Sequence, residues 1–283
     1  MHNTGKSIAF IMGLIAIGTP LVSKADAPRG NFSGFYLGGN IGVASGHSNY
    51  LTNPGCVSPA EGGVFCVMSP DPSYINGLAV SNSGSGKISS RGFTGGAEAG
   101  HNWQIDRVVF GGEADFGALN LKKSVHASGM FPFAFLGNSY SLGESMSTNW
   151  LATIRGRVGL SVHPQLLLYG TSGAAFTSYH VSSSYNDNAV SADFPGGSGS
   201  GRLSRNRTGW TAGGGAEWLF TEHFSVKAEY LYVDFGSVNV LVPLSNTPAF
   251  TQTMQVKSDL STNIVRLGLN YQFDGITSYS AVK

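Results

Sequence analysis

In eight stretches of this chain every second residue is apolar, and the charged residues inside those stretches fall on the other face. Successive side chains of an extended strand point to opposite sides. Each stretch therefore has one oily face and one face of Gly, Ser, Thr, Asn and charge. The stretch 263–273 shows the pattern most plainly, with Val265, Leu267, Leu269, Tyr271 and Phe273 alternating against Arg266, Asn270 and Gln272. Similar alternation covers 34–44, 92–103, 107–118, 148–162, 210–218 and 224–234. The stretch 166–176 contains the run Leu166-Leu167-Leu168-Tyr169, which leaves its phase open. Glu98, Glu113, Asp115, Glu217 and Glu229 share the minority face with Arg155, Arg157, Lys227 and Arg266, and Arg107 falls on it too. An Arg or Lys facing lipid at the bilayer midplane costs roughly 2–4 kcal/mol. The charges must therefore line an enclosed interior, and the apolar faces must meet lipid. A water-soluble barrel would have the reverse polarity.

The connectors between these stretches alternate short and long. Gln104–Asp106, His163–Gln165 and Thr221–His223 are tight, whereas 45–90, 121–147, 177–206 and 235–261 are long. Outer-membrane barrels have an even number of strands, short periplasmic turns and long outer loops. The expected fold is an all-β, eight-stranded antiparallel transmembrane up-and-down barrel with four long extracellular loops and both termini periplasmic. Trp103 and Trp218 fall beside short turns and Trp150 and Trp210 beside long connectors, the placement of two interfacial girdles. An eight-stranded barrel is just wide enough for side chains to fill it. Its five acids and four bases should bind one another as a polar plug; a low-conductance pore is the alternative.

Residues 1–27 read as a signal peptide: Lys6, an apolar run from Ile8 to Val22, then the small-residue triplet Ala25-Asp26-Ala27. The barrel is expected over 28–273 and a periplasmic tail over 274–283. With 40 glycines, 17 basic and 16 acidic residues, the formal charge is +1, which gives no reason to expect a nucleic-acid partner. Cys56 and Cys66 lie in the first long connector. In an exported chain their default reading is a disulfide closing a small loop, with free thiols the alternative.

Several segments resemble the opacity-like outer-membrane porin family of alphaproteobacteria. They are Gly34-Phe35-Tyr36-Leu37-Gly38-Gly39-Asn40-Ile41-Gly42, Arg155-Gly156-Arg157-Val158-Gly159, 209–218, 227–236 and 265–273. The resemblance implies a cell-surface barrel serving envelope integrity, adhesion or immune exposure, with hemin binding or weak porin behaviour in some members. It also implies insertion by the outer-membrane assembly machinery, which reads a final aromatic, here Phe273. No cofactor is expected as a rule. Should hemin bind, His47, His126 and His180, at or within the outer connectors, are the axial-ligand candidates. Arg202, Arg205 and Arg207 form a basic edge suited to lipopolysaccharide, and host ligands would meet the loops. A hydrolase built on His180, Ser182 and Asp187 is the weaker enzymatic alternative; the expectation is no enzyme. The glycine clusters 95–96 and 213–215 lack a phosphate-loop pattern.

Overall fold

The computed structural model describes residues 31–55, 65, 75–191, 194–245 and 251–273. The signal peptide, the tail, Cys56 and Cys66 lie outside the described residues. Eight strands form the wall: β1 (Gly34–Asn53), β2 (Gly86–Ile105), β3 (Val108–Met130), β4 (Ser139–His163), β5 (Leu166–Asp187), β6 (Ser198–Leu219), β7 (Phe224–Ser245) and β8 (Thr251–Gln272). Each pairs antiparallel with its chain neighbours, and β1 pairs with β8 to close the ring. A short helix, α1 (Ile75–Ser83), lies between β1 and β2. The turn between β2 and β3 is only Asp106-Arg107, with Asp106 at φ 52°, a left-handed conformation that Asp tolerates. Arg107 is exposed in this turn rather than inside the barrel, because the strand begins one residue later than expected.

The strands run well past their expected ends. They are 20 to 25 residues long, about twice the ~9–11 that a tilted strand needs to cross a bilayer. Most of what reads as long loop continues as β-structure, and only 131–138 separates β3 from β4. The polarity of the wall changes along the way. From β8's turn end, Tyr271, Leu269, Leu267 and Val265 point outward, Leu267 being 58% exposed. Beyond Val265 the outward residues are Asn263, Ser261, Asp259, Lys257 and Gln255, while Ile264, Leu260, Val256 and Met254 point inward and are fully buried. The half toward the turns is oily outside. The half toward the loops is oily inside.

The ladder also changes at that level. Pairing of β2 with β3 stops at Thr94–Leu119, and pairing of β6 with β7 is interrupted between Trp210–Asp234 and Gly199–Leu244. These gaps lie opposite one another in an eight-membered ring. The other six ladders continue to the loop end. The barrel thus opens into two four-stranded layers, β7-β8-β1-β2 and β3-β4-β5-β6, which face each other as a sandwich. Val238, Val240, Val242 and Met254 from one layer pack with Leu142, Met146, Val181 and Tyr185 from the other in one apolar cluster.

Both gaps are bridged. Asn76 of α1 donates from Nδ2 to the Phe133 carbonyl at 3.0 Å and accepts from the Phe133 N–H at 3.2 Å, while Ser81 Oγ donates to the Thr52 carbonyl. The helix therefore ties β1 to the β3–β4 connector. At the opposite gap, Arg207 donates to the Phe235 and Ser237 carbonyls, both at 3.0 Å, across a bend where Gly236 takes φ 66°. A side chain would be strained there.

Among the described residues the sandwich core holds one buried carboxyl, Glu144 on β4, whose side chain accepts a hydrogen bond from Ser183. Burial pushes its pKa up from 4.5 to about 7, against the opposing pull of that bond. Because the folded value lies above the unfolded one, the folded state holds the proton longer. Stability is then highest below pH 4.5 and falls as pH rises to about 7, by on the order of 3 kcal/mol. Glu144→Gln should raise the urea midpoint at pH 8 and leave it near wild type at pH 4. Equal midpoints for the two proteins at pH 8 would contradict this.

A candidate functional site: the closed lumen and the outer face of the extension

The oily-outside half encloses a charge cluster to which all eight strands contribute. Alternation delivers it, since the inward positions at one height are Tyr36 and Asn40 on β1, Glu98 on β2, Glu113 and Asp115 on β3, and Arg155 and Arg157 on β4. Tyr169 on β5, Glu217 on β6, Lys227 and Glu229 on β7 and Arg266 on β8 complete the ring. The phase of β5 is settled: Leu167 and Tyr169 point in, Leu168 out. Glu113 is the hub. One carboxylate oxygen binds Arg155, and the other accepts from Lys227 Nζ and the Tyr36 hydroxyl, both at 2.6 Å. Lys227 also reaches Glu98 at 2.8 Å, and Asn40 Nδ2 donates to the second Glu98 oxygen.

Arg155 continues to Asp115 at 2.9 Å and Glu229 at 3.0 Å; Arg266 binds the same two acids, at 3.2 and 2.7 Å. Arg157 pairs with Glu217 at 2.5 Å, and its guanidinium lies 4.2 Å from the centre of the Tyr169 ring. The structure brings nine of the ten charged residues assigned to the minority face into one contiguous cluster and leaves out Arg107, which lies in the turn. Charge-assisted bonds of this kind are short and strong, which burial requires.

Apolar side chains close the lumen on both sides of the cluster. Toward the loops lies the sandwich core. Toward the turns, Phe32, Val109, Leu167 and Leu219 form a second apolar layer. Phe32 is held across the mouth because its N–H donates to Gln104 Oε1, while Gln272 Nε2 donates to the Asn31 and Ser33 carbonyls. Neither the Phe32 lid nor Glu144 was foreseen from the sequence. Glu144 does carry a signal, the alternation Tyr140-Leu142-Glu144-Met146.

The outward aromatic residues fall in two groups. Near the turns are Trp103 stacked on Phe110, Trp218 beside Phe220, and Tyr271 beside Phe224 and Phe273. Near the change of polarity are Phe116 beside Trp150 and Trp210 beside Tyr232. The glycine clusters serve the wall: a Cβ on Gly213 would lie 2.0 Å from the Tyr230 carbonyl oxygen of the adjacent strand.

His47, His126 and His180 all lie on strands, β1, β3 and β5 respectively, not in loops. Their positions are on the outward face, and His47 lies in a different layer from His126 and His180, across the gap between β2 and β3, while β4 intervenes between the strands of the latter two. The structure does not bring them together. His180 contacts Ser178 at 3.3 Å rather than Ser182. Arg202 and Arg205 are exposed on β6, and Arg207 is engaged with the two β7 carbonyls.

A closed eight-stranded ring, an apolar outer belt edged by aromatics and a charge-filled interior define a barrel of the outer-membrane type. The sequence profile described as "Outer membrane protein beta-barrel domain" matches residues 14–273. The chain belongs to that family, and its location is the outer membrane. The 31 kDa outer-membrane immunogenic protein of Brucella melitensis biotype 1 is 31% identical over 249 residues, covering 87% of each chain. The 22 kDa outer membrane protein of Rhizobium leguminosarum bv. viciae is 29% identical over 167 residues, 58% of this chain and 64% of that one. Both are alphaproteobacterial proteins. Among solved structures, the outer membrane protein OprG from Pseudomonas aeruginosa aligns over 87% of this chain and 99% of its own, at 11% identity and a TM-score of 0.43.

Removing one acid from the hub leaves cations buried without their counter-charge. Glu113→Gln should destabilise the refolded barrel by about 3–5 kcal/mol, read as a lower urea midpoint in detergent or lipid. An unchanged midpoint would show that the cluster is not the tightly packed unit described.

Proposed function

We propose that this chain is a non-enzymatic surface protein of the outer membrane, in which the barrel is an anchor and the sandwich is a rigid body presented to the medium. The observation that carries this reading is the reversal of polarity along each strand. A folded unit with an apolar core and an outer face of Ser, Asn, Lys and His is built for water, and here it stands directly on a unit built for lipid. Taken at ~3.3 Å per residue and a tilt near 40°, strands of this length stand about 55 Å tall, against an apolar band of about 25 Å. The loop end is accordingly the extracellular end, and the tight turns and both termini are periplasmic.

Envelope integrity and surface contacts then rest on the outer face of the extension. The Brucella melitensis relative is named an immunogenic protein, which accords with exposure of that kind. Lipopolysaccharide is the neighbour such a barrel meets first, and host ligands would meet the tip. Transport is disfavoured because an ion would have to cross two apolar layers and dismantle a buried charge cluster between them.

Single-channel recording tests the choice. Refolded, heat-modifiable protein inserted in a planar bilayer should give no discrete steps. Reproducible salt-dependent steps from protein of confirmed insertion would replace this reading with that of a low-conductance porin.

A further inference from the structure

Just above the apolar belt, at the gap between β2 and β3, the wall carries an unbalanced concentration of positive charge. Arg91 is two residues beyond the belt residue Phe93 on β2, and Lys122 is the corresponding residue of β3, both exposed on the outward face; Lys123, also exposed at the open edge, alternates to the other face, opposite the inward-facing Met146 of β4. The strands still touch immediately below, since a Cβ on Gly92 would lie 1.7 Å from the Asn120 carbonyl oxygen. Arg91 and Lys122 therefore face each other across the start of the gap. Lys87, also exposed, follows four residues farther up β2.

No described residue on the outward face of β1 to β4 above the belt is a carboxylate. Asp259, on the adjacent strand β8, is occupied by the backbone N–H and side-chain amide of Asn49.

We infer that Arg91 and Lys122, flanked at the open edge of β3 by Lys123, form a binding site for the phosphate groups of lipid A, the phosphorylated glucosamine head of lipopolysaccharide. Height decides among the cations of the extension. Two residues of a strand tilted near 40° raise Arg91 by about 5 Å beyond the last belt side chain, and the head-group zone is about 5–8 Å deep on each side of the hydrocarbon. Arg202 lies eight residues beyond Trp210, ~26 Å along β6, above that zone, and Arg207 is committed to β7. Guanidinium and ammonium groups set side by side match a phosphate monoester, Arg in bidentate fashion and Lys as a point charge. Lipid A adds acyl chains that lie along the belt beneath, where Phe93, Phe116 and Trp150 are exposed or half-exposed.

This inference rests on the proposed orientation, and its test separates the two. The full-length mature protein is reconstituted in phosphatidylethanolamine vesicles containing either intact lipopolysaccharide or the same material with its phosphates removed, and retained lipid is measured by native mass spectrometry. Wild type should hold the intact form about tenfold more tightly than the dephosphorylated form. The triple variant Arg91→Gln, Lys122→Gln, Lys123→Gln should lose that preference, while Arg202→Gln, Arg205→Gln should keep it. Equal retention of both lipids by wild type, or an undiminished preference in the triple variant, would overturn the site. So would displacement of intact lipid by an equimolar amount of inorganic phosphate, which would mark a site for the free anion. In intact cells, a Ser124→Cys variant should react with an impermeant maleimide. Failure to label would overturn the orientation, and with it the lipid A assignment; labelling with no lipid preference would overturn the site alone.

Discussion

The organising constraint is the backbone hydrogen-bond ladder. In hydrocarbon no water can satisfy an open N–H or C=O group, so a strand-built wall must close on itself. Along the apolar belt every one of the eight ladders is made, including the one between the first and last strands. The gaps appear only above Leu119 on one side and Trp210 on the other, where the outward side chains have turned polar. Beyond the lipid, an unpaired edge can be solvated or covered, and this protein covers both, with α1 on one side and Arg207 on the other. Splitting into two layers brings opposite walls together around side chains alone, without a pore to fill.

The interior polarity follows from the same geometry. Inside the belt a narrow ring of wall must be filled, and the outward positions are already given to lipid. Glycines in the wall let strands approach closely, and the inward residues are long charged side chains that reach the axis. Glu113 can contact Arg155 and Lys227 from different strands because eight strands keep every inward side chain within reach of the opposite wall. Above the belt the same positions on β8 hold Leu260, Val256 and Met254, and no axial charge is required. Glu144 is the one exception in the described core, held by a serine rather than a cation.

Strand identity and order in the belt, and facing in every strand but β5, were legible because lipid and lumen impose opposite demands on adjacent residues. Val265 and Arg266 cannot trade places. The extension was legible only in part. Its inward alternation is present in Val238, Val240, Val242 and Leu244, but the residues between are Asn, Leu and Pro rather than a lipid-facing set, and segments such as Ser139–Ser147 are serine-rich enough to resemble loop. A search for lipid-facing strands stops where the lipid stops. The gaps themselves leave no pattern, since a missing ladder partner is a property of two strands together. Arg207 illustrates the limit: its composition marks a basic edge, and only the neighbouring bend at Gly236 turns it into a brace.

The change of facing between Ile264 and Val265 works as a waterline written into the chain. A shift of the whole barrel toward either side of the membrane would wet one oily band or strand polar side chains in lipid, so its depth is fixed from both directions. Since the core of the upper body is built from inward residues alone, outward positions such as Ser124, His126, Ser141 and Gln255 can change without disturbing either that core or the belt. The visible surface and the anchor can therefore evolve at different rates within one continuous set of strands.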